Sequence, residues 1–325
     1  MRTDVLAFYG LKRGPRSAVG YYETQHHQQL LRDIHHAVRE ASLIVLSGVI
    51  GVGKSLVLDK LRETLTAEGE ILVSRAVTLE RQKITLGTLI TALFCDLSPG
   101  RKRPEIPKQS ELRERRLLEL VQKRGMPVVL FVDEAHELRH STLTELKRLT
   151  ELVAGSGQHL AVLLAGHPKL RNDLRGPEME EVGLRTTMFS LDGVTGSQRE
   201  YIQWLIGACA RDGVTVDDVL TPEALDFLAS RLRTPLQIAQ HLTLALETGY
   251  LASLKPITEA VIDDVLSKRL DDLGPTLVRH GYTQKVLCEM FGAKPAEIKA
   301  LLRQTLEPER AQELRDQMLA AGLPV

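Results

Sequence analysis

Residues Gly48 to Ser55 read Gly-Val-Ile-Gly-Val-Gly-Lys-Ser and follow the apolar run Leu43-Ile44-Val45-Leu46. Such a run has the length and composition of a buried strand. A strand, a glycine-bounded loop and Lys-Ser at the head of a helix make a P-loop. Gly48 and Gly53 let the backbone turn tightly, so that the amides of Val49, Ile50, Gly51, Val52, Gly53, Lys54, Ser55 and Leu56 can cradle phosphate at the positive end of the following helix. Lys54 is then placed to bridge the β- and γ-phosphates of ATP, and Ser55 to hold Mg²⁺.

A second apolar run, Pro127 to Val132, ends in Asp133-Glu134-Ala135-His136. A strand this apolar is buried on both faces of a parallel sheet, and its first carboxylate emerges at the carboxyl end, beside the P-loop. This is the Walker B arrangement: Asp133 orders Mg²⁺ through Ser55 or water, and Glu134 polarises the attacking water as general base. Two carboxylates at an ordinary helix N-terminus, favourable to its dipole, are the alternative reading.

These motifs need a sheet to hold them. Ile71 to Val77, Leu160 to Ala165 and Thr187 to Leu191 have strand character, and Tyr22 to Arg39 and Leu86 to Leu97 carry helical spacing. Five strands alternating with helices predict an α/β fold with a parallel sheet covered on both faces. From Ser197 the strand signals stop and amphipathic helices take over at Arg199 to Ala210, Thr221 to Leu232, Thr234 to Leu251 and Thr258 to Leu270. After Gly274-Pro275, which reads as a break, Thr283 to Phe291 and Ala296 to Gln304 have helix-turn-helix spacing, and a last helix opens at Glu307-Pro308. The expected domains are an N-terminal segment and helix over 1–40, an α/β core over 41–193, a helical lid over 194–272 and a helical tail over 273–325.

The chain has 325 residues, enough for more than one core. Its 42 basic residues balance 42 acidic ones, so nucleic-acid affinity would have to come from a local patch. One such patch is Arg101 to Arg124, with nine Lys or Arg against four Glu. Its residues Lys102, Arg103 and Arg113 are the expected contacts to DNA phosphates; a solvated helix face with internal charge pairing is the other reading. Cys95, Cys209 and Cys288 have no metal-ligand spacing and read as core filler in a reducing compartment. No apolar stretch is long enough to span a bilayer and Met1 to Asp4 opens no signal peptide, so a cytoplasmic location and no membrane partner are expected.

Phe8-Tyr9-Gly10-Leu11, Thr24-Gln25-His26, the P-loop, Asp-Glu-Ala-His and Gly166-His167-Pro168-Lys169-Leu170 together resemble the ExeA-type AAA+ ATPases over roughly the first 270 residues. The resemblance implies an AAA+ P-loop NTPase core with five parallel strands and a helical lid, and a homo-oligomer, ring or helical filament, in which a neighbouring subunit supplies an arginine to the γ-phosphate. Arg185 is the first candidate for that arginine, followed by Arg171 and Arg175. His167 falls at the sensor-1 position, where it would feel the γ-phosphate or the attacking water; a loop-capping histidine is the alternative. The resemblance also implies a lid arginine after a proline, but this chain reads Arg233-Thr234-Pro235-Leu236, which predicts slower hydrolysis.

That group has two branches, transposon-encoded regulators similar to TnsC, TniB and phage Mu's B protein, and an ATPase of a secretion apparatus. The second continues into a membrane helix and a wall-binding region that this sequence does not contain. The expectation is therefore a transposition regulator that oligomerises on double-stranded DNA, recruits or activates a transposase, has a target-selection protein as a further partner, and disassembles on ATP hydrolysis. A secretion-apparatus ATPase and a signalling NTPase stand as alternatives. The tail, with five basic residues against two acidic ones from Arg279 to Gln304, reads either as a DNA-binding element or as a hairpin that docks a protein.

Overall fold

Leu43–Ser47, Val128–Val132 and Leu160–Gly166 are apolar through nearly their whole length and buried at every position, as strands covered on both faces must be. The computed structural model describes residues 1–18, 20–76, 84–98, 105–266, 273–303 and 305–325. Its elements in chain order are α1 (Thr3–Tyr9), α2 (Gln25–Glu40), β1 (Leu43–Ser47), α3 (Lys54–Glu68), β2 (Leu72–Arg75), α4 (Leu86–Leu97), α5 (Ser110–Arg124) and β3 (Val128–Val132). Next come α6 (His140–Gly155), β4 (Leu160–Gly166), α7 (Pro168–Arg175), α8 (Glu180–Gly183) and β5 (Thr186–Ser190). The remaining helices are α9 (Gln198–Cys209), α10 (Pro222–Arg231), α11 (Pro235–Leu251), α12 (Glu259–Val265), α13 (Leu273–Arg279), α14 (Gln284–Phe291), α15 (Pro295–Leu302) and α16 (Pro308–Ala320).

Residue contacts divide the chain into two compact units: Gln25–Gly48 with Lys54–Leu191, and Met1–Thr24 with Val49–Gly53 and Asp192–Val325. The first unit holds the sheet, five parallel strands in the order β2-β3-β4-β1-β5. Side chains alternate between its faces. Leu43, Val45, Leu130, Val132, Val162 and Leu164 join a core with Leu89, Leu93 and Phe94 of α4, Leu117 and Val121 of α5, and Leu146 and Val153 of α6. The other face is covered by α2 and α3.

The second unit is helical. Tyr9 and Leu11 are buried with Ile202, Leu205, Leu228, Leu242 and Ile262, and the Tyr9 hydroxyl donates to the Leu254 carbonyl at 2.8 Å. Gly10, left-handed at φ 71°, ends α1, and a Cβ there would lie 2.7 Å from Val214 Cγ2. The Phe8-Tyr9-Gly10-Leu11 motif thus ties the N-terminal segment to these helices. Thr234 and Gln237 form a capping box at the start of α11, behind Pro235 at its first position. The tail helices have their own core of Leu277, Tyr282, Leu287, Ile298, Leu301, Leu314 and Met318.

Two expectations need correction. Gly274-Pro275 does not break the chain but lies in the first turn of α13, where proline's missing N–H has no helical partner to lose. Cys95 is exposed, not core filler, because it falls on the solvent side of α4; Cys209 is buried and Cys288 intermediate. Among the described residues no helix is long and apolar enough to cross a membrane.

Candidate functional site at the carboxyl ends of β1, β3 and β4

Strand order decides which side chains meet. Because β4 lies between β1 and β3, residues leaving its carboxyl end stand between the P-loop strand and the Asp-Glu-Ala-His strand. Ser47 is level with Gly166 and Val132 with Leu164, so the three strands end at one edge. Gly166 is confined there: a Cβ would come within 3.1 Å of the His136 backbone nitrogen and of Leu170 Cδ2.

Ser55 Oγ donates to Asp133 Oδ2 at 3.1 Å, joining the head of α3 to the end of β3 across 78 positions of sequence. Asp133 Oδ1 accepts the Glu134 amide at 2.9 Å. Glu134 itself is left-handed, at φ 54° and ψ 35°. That conformation costs a non-glycine residue of order 1–3 kcal/mol, and such strain gathers at functional sites. It turns the chain sharply after Asp133, so that consecutive carboxylates can take different partners.

Lys54 is buried, and its Nζ donates to the Gly48 carbonyl at 2.7 Å. Burial lowers its ammonium below the usual lysine range, while Glu134 and Asp133 pull it back up. Glu134 Oε2 lies 3.4 Å from His136 Nδ1 and 3.8 Å from His167 Nε2. The two imidazoles stack with centroids 3.7 Å apart and planes inclined by 24°. Burial pushes the His136 imidazole below the ordinary histidine value, Glu137 and Asp133 raise it, and Lys54 and Lys169 lower it further. His136 belongs to the Asp-Glu-Ala-His motif, but only the placement of β4 beside β3 brings it to His167.

The loop residues Val49–Gly53 have partners in the helical unit. Gly51 and Gly53 adopt φ 81° and 101°, conformations that the fourth and sixth positions of the motif supply without steric cost. The Gly51 carbonyl accepts the Leu236 amide at 3.3 Å, and a Cβ on Gly51 would lie 2.5 Å from Leu236 Cβ. The position after the lid proline therefore packs on the loop through an aliphatic side chain. The Ile50 amide donates to the Arg279 carbonyl at 3.1 Å, a tail contact that no motif announces.

The other expected residues are elsewhere. Arg185 precedes β5, at the amino edge of the sheet, and pairs with Glu151 while remaining 58% exposed. At about 3.3 Å per residue, the five positions of β5 separate it by on the order of 15 Å from the carboxyl edge of its own sheet. Arg171 donates to Ser190 Oγ at 2.6 Å, and Arg175 is exposed. Arg113 is half-buried near the N-terminus of α4, with its Nε enclosed and without a hydrogen-bond partner among the described residues. It lines a cavity of about 680 Å³ with Thr85, Ser110, Glu114, Glu145 and Arg148. Lys102 and Arg103 lie outside the described residues.

The strand order and the residues at its carboxyl edge define an AAA+ P-loop NTPase fold. Residues 34–174 match the model of the AAA domain family. The chain is 26% identical over 192 residues to General secretion pathway protein A of Aeromonas hydrophila, a stretch that is 55% of this chain and 33% of that protein's length. Among solved structures, Cdc6p from Pyrobaculum aerophilum superposes with a TM-score of 0.51 at 16% identity, covering 98% of this chain and 90% of that one. The Orc1 protein of Aeropyrum pernix, solved in complex with DNA, gives 0.52 at 16% identity over 96% and 88%.

Proposed function

We propose that the chain is an ATPase whose turnover sets the lifetime of an oligomer on double-stranded DNA, acting as a transposition regulator that recruits or activates a transposase. The observation that carries the ATPase reading is the Ser55–Asp133 hydrogen bond beside buried Lys54 and strained Glu134. This donor set fits a magnesium-bound triphosphate: one hydroxyl and one carboxylate in contact, and the Lys54 ammonium nearby. Ser55 and Asp133 would hold Mg²⁺, which when bound spreads the charge developing on the β- and γ-phosphate oxygens. Lys54 holds a positive charge in a poorly solvated place, where it acts more strongly than in water. Glu134 accepts the proton of the attacking water as its oxygen bonds to the γ-phosphorus and the bond to the leaving ADP oxygen breaks. His167, 3.8 Å from Glu134 Oε2, orients that carboxylate or reports on the γ-phosphate.

Arg185 supports an oligomer. Lying at the opposite edge of the sheet from its own P-loop, it can serve a γ-phosphate only in a second copy. The DNA part of the proposal draws on the basic run that includes Arg113, on charge repeated along an oligomer, and on likeness to a protein solved with DNA. Leu236, where a lid arginine would be expected, favours slow hydrolysis and a timer over a motor.

Electron microscopy with duplex DNA, with and without ATP or a nonhydrolysable analogue, tests this reading. Nucleotide-dependent rings or filaments on DNA are expected; their absence at every concentration would overturn it. The relation to General secretion pathway protein A favours a second reading, a secretion-apparatus ATPase. That reading predicts turnover indifferent to DNA.

A further inference from the structure

Glu134, His136 and His167 each offer a ligand atom, and these atoms all lie within 4.8 Å of one another. The site's Mg²⁺ reading does not use the two histidines. Hard cations such as Mg²⁺ take oxygen ligands, whereas imidazole suits zinc, cobalt, nickel and copper. Two histidines and one carboxylate, with room for a further ligand, form a recurrent three-residue set for a borderline divalent ion. In a tetrahedral site with bonds of about 2.0–2.1 Å, ligand atoms stand about 3.3 Å apart. The observed separations of 3.4 Å from Glu134 Oε2 to His136 Nδ1 and 3.8 Å to His167 Nε2 need only small side-chain rotations to reach that geometry.

The surroundings favour it further. His136 Nδ1 is enclosed, and no hydrogen-bond partner satisfies it among the described residues, while Glu137 Oε1 lies 3.7 Å from His136 Nε2. A carboxylate near the second ring nitrogen is what orients histidine ligands. The ring positions are held by backbone: Gly166 packs against His136, and His167 immediately follows it at the head of α7. Only one adjustment is larger, since rings stacked at 3.7 Å must fan apart for both nitrogens to face one ion.

We propose that Glu134, His136 and His167 bind a borderline divalent transition-metal ion such as Zn²⁺, and that occupancy withdraws Glu134 from its role as base. The second clause rests on the ATPase reading given above; the first does not. A bound cation lowers the basicity of the Glu134 carboxylate and holds it away from the attacking water, so the ion inhibits turnover reversibly without occupying the phosphate loop.

The experiment titrates the full chain with Co²⁺, following visible d–d absorption, and with Zn²⁺ by calorimetry, both without nucleotide. One tightly bound ion per chain is expected, weakened at least a hundredfold in His136→Asn and in His167→Asn. Binding unchanged in both variants would place the ion on other histidines, such as those of α2, and overturn the proposal, as would no Co²⁺ absorption at all. Circular dichroism melting confirms that each variant is folded, and Glu134→Gln, which preserves shape, supplies a third ligand test with the same expected loss. In a second arm, Zn²⁺ should inhibit ATP turnover and chelator should restore it, with the inhibition constant shifted in parallel with the binding constant. Co²⁺ binding without any ATP turnover leaves the site standing and sinks the ATPase reading; turnover without Co²⁺ binding does the reverse.

Discussion

The carboxyl edge of the sheet and the arginine-rich helix α5 are both dense in charge, yet they are built differently. At the sheet edge Asp133 and Glu134 follow buried β3, and Lys54 opens α3 one loop after buried β1; both strands are locked in register by parallel ladders, so spacing in sequence translates into contact. On α5 the charges have no such scaffold. Arg116 pairs with Glu119 at 2.7 Å, Arg115 stands 3.9 Å from the same carboxylate, and Arg113 turns into the cavity with Arg148. Charge thus yields a convergent site in one place and dispersed surface chemistry in the other. The difference lies in whether backbone hydrogen bonds or flexible side chains set the positions.

The sharpest way to test this contrast is Glu134→Gln, which should lower kcat by about 10²- to 10⁴-fold while ATP binding persists. Undiminished turnover in a single-turnover assay would remove Glu134 from the base role. Lys54→Ala should weaken ATP binding by about a hundredfold, read by fluorescent-nucleotide titration, since a buried cation's contact with phosphate is lost. Gly166→Ala introduces a methyl 3.1 Å from the His136 backbone and should destabilise the fold by about 1–3 kcal/mol in urea unfolding, with turnover impaired as well. In α5 the effects should be smaller. Arg113→Ala should reduce the slope of log affinity for duplex DNA against log salt by about one, if it meets a phosphate, and Arg116→Ala by less because Glu119 already holds that guanidinium.

The smallest effect concerns acidification. His136 binds protons less readily in the fold than in the unfolded chain, whose histidine titrates near 6.5, so its neutral form stabilises the fold at higher pH. That contribution is lost as pH falls through and below the unfolded value. The melting temperature should therefore drop between about pH 7 and 5, and drop less in His136→Gln.

Much of the sheet unit was legible because its signals are local. An apolar run followed by Gly-Val-Ile-Gly-Val-Gly-Lys-Ser is strand, loop and helix in one stretch, and β1 with the loop and α3 falls where that pattern places it. Thr221 before α10 and Thr283 before α14 are legible as caps for the same reason. Arg185 was less legible: its place at the amino edge of β5, with Glu151 for a partner, depends on α6 packing against the sheet. The meeting of His136 with His167 could not be read at all, since 31 positions separate them and only strand order makes them neighbours.

By itself the sequence determined the phosphate loop, the two carboxylates and the alternation of strands and helices, since each follows from hydrophobic period, glycine conformation or capping within a few residues. Tertiary structure alone decided that β4 stands between β1 and β3, that left-handed Glu134 sits beside two stacked histidines, and that Leu236 and Arg279 reach the loop. Those facts depend on which distant segments share a ladder or a core, and long-range pairing is a property of the packed chain.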